Sequence, residues 1–409
     1  MLQVEQDVEG VANHPLALRM GAIAFVAQNL GVACVWGSFS VLLASVEQRL
    51  AVGRDLSTLG APAVNLAMAL CAPLAGTLAT RYSLRWIMVG GASLSVAGFI
   101  LLALTASFPL YLVAFGLLLG PGMAVSVILP ATLVTRWYSV HRGRALGIVG
   151  SPVLLVLVPF FSVWMLQSYG LPVAYAGLAG LSMVAVICNL FIIDRPPQDE
   201  ALAVGHAPLA VATGTITMIQ LLHTPRFWAL VLPFIASAAG SIMLTAHIVP
   251  MLRSWGFSTA LAASLLSVQS VGGIIGTICF GSIADRLGGA TALTIVVFNS
   301  AMLWLLLLLH PSFASMAIII GLIGAHGCGV VPVFSLALSE AFGRENFSRA
   351  FGLTSLINTP SVTLCVPIAA AVFTHTGSYT GAIVGEATFL GVTCLLVLMV
   401  WRRRTVAVI

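Results

Sequence analysis

Gly281-Ser282-Ile283-Ala284-Asp285-Arg286 and Gly76-Thr77-Leu78-Ala79-Thr80-Arg81 are two versions of one hexapeptide, 205 residues apart. A second pair keeps the same offset: Arg144-Ala145-Leu146-Gly147 and Arg349-Ala350-Phe351-Gly352. Two separate landmarks with a common offset mark an internal duplication of about half the chain. The surrounding composition says what was duplicated. Of 409 residues, 60% are hydrophobic and only 7% are charged, whereas a soluble globular chain carries about 25% charged residues. Such a chain has no polar shell to put around a core of this size, and the solvent that fits it is a bilayer.

A helix needs about 20 apolar residues to cross a bilayer. Twelve stretches qualify: 18–45, 57–80, 86–106, 109–135, 145–167, 172–193, 228–252, 259–283, 290–309, 313–338, 350–373 and 380–401. Six spans per copy is an even number, so the copies run parallel, an arrangement that places a central site between them. The expected fold is therefore an all-α integral membrane protein of twelve transmembrane helices in two six-helix parallel repeats. Its expected parts are an N-terminal bundle over 1–193, a linker over 194–225 and a C-terminal bundle over 226–409.

Every one of the 17 basic residues is an arginine. With the N-terminus placed inside, fourteen fall on the cytoplasmic side; only Arg49, Arg54 and Arg253 fall opposite. That bias puts both termini and the linker in the cytoplasm of an inner membrane. It also accounts for the net charge of +5 without invoking nucleic acid. Glu5, Asp7 and Glu9 stand where a secretory signal would be basic, so the first apolar segment is expected to be retained. The seven cysteines all fall within apolar segments, with no metal-ligand spacing. They read as small apolar residues, and neither a metal nor another cofactor is expected.

The chain resembles the major facilitator superfamily at Gly281-x-x-x-Asp285-Arg286-x-Gly288, which matches that family's loop motif. The first copy is degraded, with Thr80 and Ser83 where an acid and a glycine are usual. Within the superfamily it is similar to the monocarboxylate porter and oxalate–formate antiporter group. The residues that carry this are Gly31-x-x-x-x-Trp36-Gly37-x-Phe39, Arg136-Trp137-Tyr138 with Arg142-Gly143-Arg144-Ala145-Leu146-Gly147, Thr224-Pro225-Arg226-Phe227-Trp228, and His247-Ile248-Val249-Pro250. The resemblance implies a secondary transporter whose cavity is lined by spans one, four, seven and ten, flanked by two, five, eight and eleven. One departure bears on cargo. Carriers of this group resemble one another in an arginine of span eight, at the position held here by Thr277. Some also carry a lysine in span one or eleven, and this chain has none. A dicarboxylate is thereby disfavoured against a monocarboxylate.

Polar side chains within spans are costly unless they face inward, which makes each a functional candidate. The family's cavity helices select Gln28, Asn29, Asn65, His247, Gln269, His326 and Asn358, and demote Asn189, Asn299 and Glu386 to outer helices. Asn29, Ala33, Trp36 and Ser40 share a stripe at helical spacing; Asn29 can bond a substrate beside a Trp36 wall, or bond a neighbouring helix. Gln269, Gly273 and Thr277 recur every four residues, and Gly272, Gly273 and Gly276 admit close approach by a helix or a ligand. His326, near the middle of span ten, can meet a carboxylate or carry a coupled proton, or be a neutral histidine bonded within the bundle. His247 lies nearer the outer end of span seven, as a gate residue or as an interfacial side chain. Gly281, Asp285, Arg286, Glu340 and Arg144 read as a conformational latch. In it Asp285 caps the first turn of span five near Gly143 and Arg144, and Glu340 pairs with Arg286.

The expected function is alternating-access transport of a small solute, an organic anion such as a monocarboxylate, with proton coupling possible and no catalytic residues. The expected partners are the substrate, protons and the lipid bilayer, and the expected working unit is a monomer. Two rivals remain open: an exporter of amphiphilic or drug-like compounds, for which an uncharged aromatic cavity would suit, and a non-transporting sensor of the same fold. An enzyme is disfavoured because no acid pair or nucleophile–base pair stands in the spans.

Overall fold

The computed structural model describes residues 15–195 and 216–402. The extreme termini and most of the expected linker lie outside the described residues. Among the described residues there are helices and no strands. We label the long helices α1 (Ala17–Leu50), α2 (Gly60–Arg81), α3 (Leu84–Leu104), α6 (Leu171–Leu190), α7 (Pro225–Ser254), α8 (Thr259–Leu287), α9 (Gly289–Leu307) and α12 (Thr380–Arg402). Helix α4 begins at Phe108–Val113, passes through a π segment at Ala114–Leu119 and ends as Gly120–Trp137. Helix α5 comes in two pieces, Arg142–Gly150 and Val153–Tyr169. One helical stretch, Phe313–Thr376, is 64 residues long, but Gly343 inside it has φ 78° and ψ 160°. Those angles are open to glycine and costly for a side chain. They part the stretch into α10 (313–342) and α11 (344–376), which completes twelve passes among the described residues.

Two spans differ in detail from expectation. The helix of span one runs to Leu50, past the expected end at 45. Span five, expected over 145–167, is apolar enough to cross over Arg142–Tyr169, but its helix is interrupted at Ser151-Pro152, where Pro152 has φ −83° and ψ 53°. The cause is Pro152, which supplies no N–H and pushes the residue before it out of helical conformation.

The helices gather into two compact units. The first holds 15–140, 149–195 and 344–356; the second holds 141–148, 216–343 and 357–402. The opening turns of α5 thus cluster with the second unit, and those of α11 with the first. In the second unit a Cβ at Gly281 would strike the Gly143 carbonyl oxygen, and one at Gly147 the Thr277 carbonyl oxygen. In the first unit a Cβ at Gly76 would strike the Ser348 carbonyl oxygen, and one at Gly352 the Ala72 carbonyl oxygen. Each contact maps onto its counterpart by the offset of 205 read from the sequence. The duplication is therefore one of packing as well as of letters, and small residues are what allow the backbones so close.

The first unit closes on Phe99, Tyr111, Phe115 and Leu119, with the Tyr111 hydroxyl donating to Ser57 O at 2.7 Å. The second unit stacks Phe234 on Phe334 at 4.4 Å between α7 and α10. Leu66, Leu70 and Leu74 of α2 are each more than half exposed. They form a stripe at four-residue spacing of the kind that meets lipid chains.

Candidate functional site

The interruption of α5 frees backbone groups at membrane depth, where each needs a partner. Asn29 of α1 supplies both. Its Nδ2 donates to Val149 O at 3.3 Å, at the end of the first piece of α5. Its Oδ1 accepts from Leu154 N at 3.2 Å, at the start of the second. Asn29 is buried, and beside it a pocket of about 80 Å³ is lined by Gln28, Val32, Gly150, Ser151, Pro152 and Leu155. Gln28 is half-buried and makes no hydrogen bond among the described residues. Of the other candidates in this unit, Trp36 is half-buried and packs against the apolar core. Asn65 of α2 is half-buried and lines none of these spaces.

In the second unit Gln269 of α8 turns to α7, its Nε2 donating to Thr245 Oγ1 at 3.0 Å and reaching Ser241 O at 3.4 Å. Its Oε1 is buried without a partner. Thr277 is buried and returns its hydroxyl to Gly273 O at 2.7 Å, so the position held by arginine in similar carriers has no donor to spare. Gly272 abuts Gly321, Gly276 abuts Ala325, and Gly324 abuts the backbone of Gln269. The glycines of α8 and α10 are thus occupied in helix packing. His326 of α10 is buried, with its ring 4.6 Å from Phe280. Its Nδ1 donates to Leu322 O at 2.7 Å; a carbonyl can only accept, so Nδ1 carries the proton. That leaves Nε2 as the ring's free nitrogen, buried and without a partner among the described residues. His247 is bonded on both sides, to Tyr379 Oη at 3.2 Å and Val366 O at 3.0 Å, which ties α7 to α11 and the start of α12. Asn358 keeps an unpartnered, buried Oδ1. No described contact joins His247 to His326.

At the Asp285 end of α8 the carboxylate accepts from Gly143 N through Oδ1 and from Arg144 N through Oδ2, the latter at 2.7 Å. An anion thus sits on the first turn of α5, where the helix dipole favours it. The Arg144 side chain is exposed. Glu340 behaves differently from expectation. Its Oε2 accepts from Gly289 N at 2.9 Å, which caps α9, and no ion pair with Arg286 forms among the described residues. Its basic neighbour is Arg142, whose guanidinium reaches Ser339 Oγ at 3.4 Å. The cap on α9 wins because the first N–H groups of a helix have no other partner. At the corresponding place in the first unit Arg349 donates to Thr80 Oγ1 at 3.1 Å, and Ser348 donates to Gly76 O at 2.9 Å.

Glu386 is placed by the sequence on an outer helix, α12, away from the expected cavity. It is only 7% exposed and lines a cavity of about 400 Å³ within the second unit. Its position in the chain gave no hint of this, since the cavity is made by α7 and α11 packing beside it. The one signal available was Gly240, whose missing side chain leaves room for the carboxyl.

The sequence profile described as Major Facilitator Superfamily matches residues 25–313. The chain is 25% identical over 324 residues to "Monocarboxylate transporter 13" of Bos taurus, covering 78% of this chain and 74% of that protein. It is 26% identical over 294 residues to "Oxalate:formate antiporter" of Oxalobacter formigenes, covering 68% and 67%. Its backbone is similar to the E. coli fucose:proton symporter FucP, with a TM-score of 0.70, 15% identity, and coverage of 94% of this chain and 98% of that one.

Proposed function

The chain belongs to the Major Facilitator Superfamily, and from that premise we propose that it is a secondary transporter moving a small organic anion, a monocarboxylate first, by alternating access. The relatives named for monocarboxylates and for oxalate and formate support the class. The observation that carries the reading is the Asn29 bridge over the interrupted α5. Broken helices at membrane depth are tolerated where they line a cavity, and their ends present oriented dipoles to a bound ion. Here the break borders a pocket that includes Gln28. A single carboxylate suits this setting better than two, because Thr277 has its hydroxyl bonded to its own helix.

We assign the cargo site to the set Gln28, Asn29, Trp36, Asn65, His247, Gln269, Thr277, His326 and Asn358, in which Gln269, His326 and Asn358 keep a polar atom for the cargo, while Asn29, His247 and Thr277, already bonded within the protein, shape the site. His326 is the residue to carry a coupled proton, since its Nε2 is free to take one and histidine changes charge near neutral pH. Gly281, Asp285, Arg286, Arg144 and Glu340 form the latch. The protein works as a monomer in the inner membrane, with bundles over 1–193 and 226–409 and both termini cytoplasmic.

The test is flux. Purified protein in liposomes should take up labelled lactate or acetate under an inward proton gradient, above protein-free vesicles. His326→Gln keeps a donor and an acceptor but removes the titration, so uptake should lose its pH dependence between about pH 5 and 8. Absence of flux for every monocarboxylate tried, under gradients of either sign, sinks the cargo class. An unchanged pH profile with unchanged affinity in His326→Gln returns that residue to packing.

A further inference from the structure

None of the residues assigned to the cargo lines the cavity of about 400 Å³ beside Glu386. Ala239 and Met243 of α7, Leu364 and Ile368 of α11, and Phe389 of α12 give it an apolar wall. Ser361 and Glu386 supply the polar groups, and no arginine or histidine is in the lining. The carboxyl stands six residues into α12, about 9 Å along the helix from Thr380. It accepts no hydrogen bond from any described residue, and its Oε1 is buried against Gly240 without a partner. A buried carboxyl without a donor is unfavourable, whereas every apolar neighbour here is satisfied by contact alone.

We propose that this cavity binds a lipophilic amine, whose ammonium group pairs with Glu386 while its apolar body lies against the α7, α11 and α12 side chains. Three alternative occupants fit less well. An acyl chain of a lipid would fill the apolar wall and leave the carboxyl without a donor. An organic anion would put a second acid group beside Glu386 with no cation in the lining to balance the charge. A neutral alcohol would make one ordinary hydrogen bond, whereas an amine that takes the carboxyl's proton makes a charge-assisted one, which is the stronger. Phe389 and Met243 add an aromatic face and a polarizable sulfur that suit an aromatic body. The site is separate from the proposed anion pathway. It lies wholly in the second unit, and it would take compounds of the opposite charge.

Three probes of one shape separate the possibilities: 4-phenylbutylamine, 4-phenylbutanol and 4-phenylbutyrate. Binding of each is measured by calorimetry on the full-length protein in lipid nanodiscs. The amine should bind saturably, the alcohol more weakly, and the acid not at all. Glu386→Gln is nearly isosteric and should weaken the amine by about tenfold or more while changing the alcohol little. A Cβ on Gly385 meets nothing within 4 Å, so Gly385→Leu should fold, partly fill the cavity and weaken both amine and alcohol. It keeps the proposal testable if Glu386→Gln should fail to fold. The proposal is overturned if the wild-type protein shows no saturable amine binding. It is overturned equally if the acid binds as tightly as the amine, if Glu386→Gln leaves amine affinity unchanged, or if Gly385→Leu does.

Discussion

At the scale of the residue, Asp285 and Asn29 do related work with different chemistry. Asp285 holds two backbone N–H groups at the head of α5 with a full negative charge. Asn29, deeper in the apolar region, bridges the two pieces of the same helix with a neutral amide that both donates and accepts. Neutral bridging suits the depth, because an unpaired charge there would be far more costly. Asp285→Asn retains one acceptor and loses the charge, which should weaken the contact by about 1.5–3 kcal/mol. In the proposed latch this changes the rate of transport while substrate affinity stays within about twofold, because Asp285 lies about 18 Å along α8 from the middle of that helix. Binding and flux measured on the same preparation decide the matter: lost binding with an unchanged rate per bound substrate would remove Asp285 from the latch.

At the scale of the element, glycine decides which helices can approach. Gly276 of α8 lies against the Ala325 backbone of α10, so Gly276→Leu forces the two helices apart. Overpacking of this kind costs about 1–3 kcal/mol and should lower the melting temperature in detergent. Gly391 of α12 has nothing within 4 Å of its Cβ position, so Gly391→Leu should leave the melting temperature unchanged; equal losses in both variants would refute the packing account. The helices themselves were legible in the sequence because a bilayer demands long apolar runs, and the ends of α2, α3 and α9 fall within a few residues of expectation. The break in α5 was written in Ser151-Pro152 but hidden from a reading by hydropathy, since Val153 to Val158 restore the apolar run at once. The burial of Glu386 was not legible at all. It depends on which faces of α7, α11 and α12 meet, and those helices show little amphipathic periodicity because lipid and protein faces are alike apolar. For His326 the sequence yielded its depth and its titratable ring. Only the bond from Nδ1 to Leu322 O shows which nitrogen is left for chemistry.

At the scale of the whole molecule, the arginine bias predicts that reporter fusions at Pro197 and after Arg404 both read cytoplasmic. A periplasmic signal at either would undo the assigned orientation, whatever the number of spans. The offset of 205 that relates Gly76 to Gly281 also relates what those glycines touch, so one ancestral way of seating a fifth helix serves both units. The two versions differ in chemistry, with a carboxylate on backbone N–H groups in one and a threonine hydroxyl accepting from Arg349 in the other. The membership of 344–356 in the first unit sets a schedule for the ribosome. When residue 195 has been made, every helix of that unit but one has been synthesised, and the surface around Ala72 and Gly76 still awaits Ser348 and Gly352. About 150 more residues must be translated first, which at 5–20 residues per second takes roughly 8–30 s. During that interval the chain around Ala72 and Gly76 is made without the backbone of Ser348 and Gly352 that it abuts in the finished protein.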